Sequence, residues 1–171
     1  MREVTCIIFM LFMIPCSVFA DINAHKQSLE NISKQLPKLE SIKCNFKQEK
    51  YFKNVQNPVV SVGQFEFIKG YGVSFTTIYP IKSKTDYTNK NYKQINDVIN
   101  AITSKKYSKI EKEFDFYFEK NSQNIELVIR PKTNSQSADF ISSITLFIKD
   151  YIQKIEIKQT NGNKTVLWFT K

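Results

Sequence analysis

The sequence predicts an α+β domain dominated by one antiparallel sheet. Runs in which apolar and polar residues alternate recur over most of the chain, and this is the period of a β-strand. Only two segments show the three-to-four-residue spacing of an amphipathic helix. Turns rich in Gly and Asn join neighbouring runs, as in β-hairpins. No internal repeat, low-complexity tract or linker interrupts the pattern, so residues 21–171 are expected to form a single domain.

The first half of the domain is predicted to contain one helix and then a strand meander. Apolar residues recur on one helical face and Pro37 fits a helix end, so a helix is expected from about Ile22 to Lys38. Its apolar stripe consists of Leu29, Ile32, Leu36 and Leu39. Strands are predicted over 42–46, 59–69, 73–79, 81–88 and 92–94. Gly63 is expected at a bulge or at a close approach of two backbones.

The second half of the domain is predicted to contain one more helix and five further strands. The helix is expected to carry its apolar stripe over 95–102 and to end with Lys105 and Lys106 in its last turn, where the helix dipole favours positive charge. The strands are expected over 114–119, 125–130, 143–149, 152–159 and 165–170. One short helical turn is expected near 138–141, and Asn161-Gly162-Asn163 has the composition of a hairpin turn.

Residues 1–20 have the composition of a cleavable secretory signal. Arg2 precedes an unbroken apolar run from Cys6 to Pro15, and small residues lie before the expected cleavage after Ala20. The apolar run is about half the length that crosses a bilayer, which argues against a membrane anchor. The mature chain is therefore expected to begin at Asp21 and to work outside the cytoplasmic membrane.

Composition and cysteine usage argue against catalytic and nucleic-acid roles. The formal net charge is +9, but no arginine cluster or arginine–aromatic motif accompanies it. Cys44 is the single cysteine outside the predicted signal, and its alternation with polar neighbours is typical of a buried structural thiol. The sequence has one histidine, His25, and no phosphate loop, serine elbow or metal-ligand spacing. We therefore predict a non-enzymatic protein that uses no metal or cofactor and binds no nucleic acid.

Several strands carry large apolar residues at successive positions, which a sheet with one solvated face does not explain. These strands include 125–129, 144–148 and 166–169. The second face must be covered, and two short helices are available. Two interpretations remain open. The sheet either curls around an ordinary packed core, or it forms an incompletely closed barrel whose concave face is an apolar cavity under a helical lid. Composition does not separate the two.

A series of short motifs resembles the periplasmic outer-membrane lipoprotein carriers, the LolA family. The similar stretches are 36–48, which ends in Phe46-Lys47-Gln48, then 58–67, 72–80, 127–132, 144–148 and 161–169. Within the second stretch, Pro-Val-Val-Ser-Val-Gly-Gln-Phe-Glu-Phe is similar to the family pattern "P-L-x-S-x-G-x-F-x-F". Each motif is short, but together they follow the family's order over nearly all of the mature chain.

The resemblance implies an open, strongly curved antiparallel sheet with helices over its concave side. It also implies a periplasmic monomer that shields the acyl chains of a lipoprotein or lipid, with an inner-membrane release complex and an outer-membrane acceptor as partners. Two departures, Lys69 near the position of a lid-tethering Arg and Phe75 in place of Trp, favour a divergent branch with another lipid as its client. The alternative function is a non-enzymatic periplasmic interaction module with a packed core and no ligand.

The resemblance also implies which side chains face the cavity. The expected lipid-binding residues are Phe46, Phe65, Phe67, Val73, Phe75, Phe116, Leu127, Ile129, Leu146, Ile148 and Trp168. The expected inner face of the lid is formed by Ile95, Val98, Ile99 and Ile102.

Overall fold

The computed structural model describes residues 25–38, 41–69, 71–85, 97, 100–101, 106–121 and 124–171. The predicted signal, residues 1–20, lies outside these ranges and stays a prediction. Within the described ranges, no helix has both the length and the apolar character that a membrane crossing requires.

The described chain is organised around one ten-stranded sheet in which every neighbouring pair is antiparallel. In chain order the strands are β1 His25–Lys26, β2 Ile42–Tyr51, β3 Val59–Ile68, β4 Gly72–Tyr79, β5 Ser83–Thr85, β6 Phe114–Lys120, β7 Ile125–Pro131, β8 Ile141–Ile148, β9 Ile152–Gln159 and β10 Lys164–Thr170. Their order across the sheet is β1-β6-β7-β8-β9-β10-β2-β3-β4-β5. The sheet is open, because the edge strands β1 and β5 are not paired with each other.

Two helices with described ends, α1 Leu29–Gln35 and α2 Ser108–Glu113, cover the concave face of the sheet. Leu29 and Ile32 of α1 and Ile110 of α2 are buried in the same core as the inward side chains of the strands. The predicted class is therefore confirmed: an α+β fold with an open antiparallel barrel and helices over its concave side.

Helix α1 is shorter than the expected helix over 22–38. Ser28 has extended backbone dihedrals, and its side chain accepts a hydrogen bond from the backbone N–H of Asn31 at 3.3 Å, so it caps the helix start. His25 and Lys26, just before it, pair with β6 as strand β1 and are not helical. The helix ends at Gln35, because Leu36 precedes Pro37 and a residue before proline disfavours the α conformation.

Helix α2 was not predicted from the sequence. Its six residues contain one buried apolar side chain, Ile110, so they carry no measurable helical period. The expected turn near 138–141 is a 3-10 helix over Gln136–Asp139. Of the strand predicted over 81–88, the described part is Ser83–Thr85, and the strand predicted over 92–94 lies outside the described residues.

Tight turns connect the central strands. Gly72 begins β4 with φ 113° and Gly162 lies in the β9–β10 turn with φ 86°, a backbone region that favours glycine. Gly63 lies beside a register shift between β3 and β4. A Cβ atom there would overlap the carbonyl oxygen of Thr76 and come within 2.9 Å of a Phe46 ring carbon. The expected close approach at Gly63 is thus confirmed.

Candidate functional site

Four phenylalanine side chains form the centre of the concave face where β10, β2, β3 and β4 lie side by side. Phe75 meets Phe46 edge-to-face with ring centroids 5.3 Å apart, and it meets Phe65 at 5.1 Å. Phe65 also contacts Phe169 at 4.6 Å. These separations are those of favourable aromatic pairs. The inner wall is therefore a packed aromatic surface.

The structure brings ten of the eleven predicted lipid-contacting residues together on this inward face. They are Phe46, Phe65, Phe67, Val73, Phe75, Phe116, Leu127, Ile129, Leu146 and Ile148, and all of them are buried. The registers align them across neighbouring strands: Phe65 lies opposite Phe75, and Leu127 lies opposite Leu146. In each of these strands the expected side chains share the inward face, and their contact with a lipid stays a prediction.

Trp168 was expected on the inward face, and the structure places it on the outer face. Its neighbours Leu167 and Phe169 are buried inward, so the two-residue period of β10 turns Trp168 outward, where it is 43% exposed. It lies between Lys154 of β9 and Lys47 of β2 in the register. The apolar run 166–169 concealed this alternation. The polar residues Lys164 and Thr170, which share the strand parity of Trp168, were the sequence signal that could have placed it on the outer face.

The outer face around Trp168 carries charged side chains beside aromatic rings. Lys154 Nζ lies 3.6 Å from the ring centroid of Phe147 and 5.1 Å from that of Trp168. Lys47 and the hydroxyl of Tyr51 each lie 2.7 Å from a carboxylate oxygen of Glu49. These two hydrogen bonds hold the pKa of Glu49 below its ordinary value. Ion pairs and cation–aromatic contacts therefore dominate this part of the outer face.

The expected lid residues Ile95, Val98, Ile99 and Ile102 lie outside the described side chains. Asp97, Asn100 and Ala101, which fall in the same predicted helix, are helical. Ala101 is buried in the common core. Ala101 thus contacts the core from a helical position, and the action of the expected lid stays a prediction.

A cavity of about 110 Å³ opens from the concave face at one end of the sheet. This end is formed by the start of β2, the end of β3, the β8–β9 turn and the end of β10. The apolar part of the lining consists of Ile42, Cys44, Phe65, Phe67, Tyr151 and Ile152. The polar part, at the rim, consists of Lys38, Ser41, Asp150 and Lys171.

Phe65 and Phe67 are the two cavity residues that the sequence had indicated as lining. Ile42 and Cys44 share the parity of Phe46 along β2, so strand alternation was the signal that could have added them. The rim side chains carried no such signal. Lys38 and Lys171 lie near opposite ends of the chain, and only the strand order brings them to one mouth.

The Cys44 thiol in the cavity lining is held in its neutral form. Burial raises the pKa of the Cys44 thiol, and the charge of nearby Lys171 opposes that rise. A thiol held in its neutral form is a poor nucleophile. Among the described residues, no group of three or more His, Cys, Asp or Glu side chains is arranged to hold a metal ion.

Comparison with known proteins gives matches among solved structures. No protein-family model matches the sequence, and no curated protein matches it either. The fold is similar to the crystal structure of a LolA superfamily protein from Nitrosomonas europaea, with a TM-score of 0.40 and 8% sequence identity. The match covers 84% of this chain and 90% of that one.

Proposed function

We propose that this chain is a non-enzymatic periplasmic carrier that shields the acyl chains of a lipid or lipoprotein between the inner and outer membranes. The observation that carries the proposal is the cavity at the mouth of the open sheet, because it leads from solvent onto a continuous apolar face. The sequence motifs that resemble the lipoprotein carriers and the predicted secretory signal support the same function.

The cavity volume determines how such a ligand would enter. About 110 Å³ is well below the roughly 300–1,000 Å³ of pockets that bind whole drug-sized ligands. A complete acyl chain therefore has to displace side chains that now fill the concave face. Burial of about ten CH₂ groups at about 0.8 kcal/mol each contributes roughly 8 kcal/mol, which offsets the loss of several side-chain contacts.

The displaced groups would be those that line the entrance. Phe65 and Phe67 bound the cavity on one side, and the half-buried Ile42 and Ile152 bound it near solvent. The segment that contains the expected lid residues 95–102 would move away as the chain enters. In this proposal the described structure is the closed state of the carrier.

A second candidate function follows from the aromatic packing. The contacts of Phe65 with Phe75 and Phe169, and the complete burial of Leu127 and Ile129, are features of an ordinary filled core. A filled core suits an interaction module that binds partners on its surface and takes up no lipid. The two functions predict opposite results in a ligand-binding experiment.

The test is saturable binding of a fluorescent fatty acid to protein purified after export, together with mass spectrometry of lipid that co-purifies. Cys44 lines the cavity and supplies an internal reporter. Bound ligand should slow alkylation of the Cys44 peptide, measured by mass spectrometry. Absence of both saturable binding and co-purified lipid would remove the carrier proposal and leave the interaction module.

Two matched variants locate the binding. Ile42→Glu places a charge in the cavity lining and should abolish fatty-acid binding. Ile157→Glu places the same charge at another half-buried position packed on the core, outside the cavity lining, and should leave binding intact. Both substitutions destabilise the fold, so each is compared at a temperature where circular dichroism shows it folded. Equal binding by both variants would contradict entry through this cavity.

A further inference from the structure

The rim of the mouth cavity carries two lysines whose charges are not neutralised within the described residues. Lys38 and Lys171 are exposed, and both line the cavity. Lys26, Lys34, Lys47, Lys132 and Lys154 each have a carboxylate within ion-pair distance. In the part of the chain that the structure describes, no side-chain carboxylate lies at that distance from Lys38 or Lys171.

The position of Lys171 extends its charge over the apolar lining. Its Nζ lies 4.7 Å from the ring centroid of Tyr151, itself part of the cavity wall. Its charge also acts on the buried Cys44 thiol, which lies deeper in the same cavity. A cation at the entrance and an apolar floor beneath it form a site with two distinct ends.

Such a site matches an amphiphile better than a wholly apolar molecule. The apolar floor has little to offer a charged group, since a buried charge without a partner is costly. At the rim, the lysine ammonium groups can bind anionic oxygens, and both groups stay in contact with water. Asp150 lies on the same rim and opposes the two lysines, so the local preference for an anion depends on the balance of these three groups.

We propose that the mouth cavity selects amphiphiles with an anionic oxygen headgroup, a carboxylate or a phosphate, held at the rim by Lys38 and Lys171. The first segment of the acyl chain then lies against Ile42, Phe65 and Phe67. This inference rests on the proposed carrier function and adds its ligand class. Asp150 weakens anion binding and thereby favours release.

The experiment compares three ligands of equal chain length by isothermal titration calorimetry on the exported protein. Dodecanoate, dodecyl phosphate and dodecanol present a carboxylate, a phosphate and a neutral hydroxyl on the same chain. Both anions should bind about tenfold more tightly than dodecanol, and added salt should reduce that difference, since exposed charges are screened. A larger preference for one anion identifies which headgroup the rim fits.

Three variants test the assignment of the headgroup. Lys38→Gln and Lys171→Gln should each weaken dodecanoate binding about threefold, as expected of exposed charge pairs, without changing dodecanol binding. Asp150→Asn should strengthen dodecanoate binding by a similar factor. Lys34→Gln is the matched control, because Lys34 is exposed on α1 but lies outside the cavity, and it should change neither affinity.

The outcomes separate this inference from the function on which it rests. Equal affinities for the three ligands, unaffected by the rim variants, would overturn the anionic selectivity and leave the carrier function standing. Failure of all three ligands to bind or to protect Cys44 from alkylation would overturn the carrier function itself. Weaker dodecanoate binding in Lys34→Gln than in Lys38→Gln would contradict the rim assignment.

Discussion

At the scale of single residues, the strand period explains what the sequence predicted about the site and what it did not. The resemblance to the lipoprotein carriers implied that Phe65 and Phe67 face inward. The strand period is consistent with this, because the polar residues between and beside them lie on the outer face. Trp168 was misplaced because both faces of β10 bury apolar groups, including Val166 on the outer side. Lys38 and Lys171 could not be predicted, since an exposed lysine carries no periodic signal.

Phe75 is expected to be essential for stability. It is 2% exposed and packs against both Phe46 and Phe65, so Phe75→Ala leaves a cavity that the sheet backbone cannot close. We expect a loss of about 3–5 kcal/mol in the free energy of unfolding, measured by urea denaturation. Phe140→Ala is the control, because Phe140 is exposed and its loss should cost well under 1 kcal/mol. Similar losses in both variants would contradict the filled aromatic wall.

Gly63→Ala is expected to destabilise the sheet by steric overlap alone, because the substitution changes neither the charge nor the polarity of the protein. The added methyl group would overlap the backbone carbonyl of Thr76, and a backbone atom cannot move aside as a flexible side chain does. We expect β3 and β4 to separate locally, with a loss of about 1–3 kcal/mol in unfolding free energy. Gln64→Ala, at the next position but on the outer face, should stay within about 0.5 kcal/mol of the parent protein. Thermal unfolding of the two variants compares them directly.

At the scale of elements, a single carboxylate ties the two described helices together. Glu111 of α2 accepts a hydrogen bond of 2.7 Å from the backbone N–H of Leu29, the first residue of α1. Ser33 and Tyr107 share a second hydrogen bond of 2.8 Å. Because α1 has two turns and α2 has fewer, neither helix has much stability of its own. The cover therefore depends on these contacts and on Leu29, Ile32 and Ile110.

Glu111→Ala should loosen this cover. It leaves the buried N–H of Leu29 without its acceptor, and an unsatisfied buried donor costs about 1–3 kcal/mol. Glu30→Ala removes an exposed carboxylate from α1 that pairs with Lys34, and it should cost about 0.5 kcal/mol or less. Chemical denaturation measures the two free energies. If Glu30→Ala costs more than Glu111→Ala, the tie between the helices is not what holds α1 in place.

Two glutamates on the outer face repel each other, and this repulsion makes the stability of the fold depend on pH. Glu119 of β6 lies directly opposite Glu126 of β7, and burial together with this like charge raises the pKa of Glu126 above its ordinary value of 4.5. The folded state then binds the proton of Glu126 more tightly than the unfolded state. Its contribution to stability accordingly rises as pH falls through the raised pKa towards 4.5.

Glu126→Gln should therefore stabilise the protein at neutral pH, by up to about 1 kcal/mol, because it removes a partly buried charge and its repulsion with Glu119. The advantage over the parent protein should shrink as the pH falls and vanish below the ordinary pKa of the carboxyl group. Thermal unfolding of both proteins from pH 7 to pH 4 measures the difference. A gain that is constant over this range would show that charge repulsion is not its cause.

At the scale of the whole molecule, the sequence predicted the sheet better than its cover. Strands β2 to β4 and β6 to β10 follow from alternation and turn residues, and β9 was predicted with the observed bounds. The predicted helix bounds were less accurate than the predicted strand bounds. A helix cap can end a helix inside an apolar 3.6-residue pattern, as Ser28 does at the start of α1. A very short helix shows no such pattern. The mouth cavity could not be predicted from the sequence. It lies where the starts of β2 and β9 and the ends of β3 and β10 meet at one side of the sheet.

A carrier must open, and hydrogen exchange can show where. The proposal requires the segment 95–102 to separate from the sheet while the sheet itself stays intact. Leu127 and Ile129 lie in β7 between two strands, with no exposed side-chain surface, so their amides should exchange late, near the limit of global unfolding. Amides of 95–102 should exchange well before them, and saturating dodecanoate should slow the exchange of 95–102 in particular, since ligand favours the state to which it binds. Exchange of both segments at one rate, with no effect of ligand, would mean that the helices and the sheet open as one unit and that no lid operates in this protein.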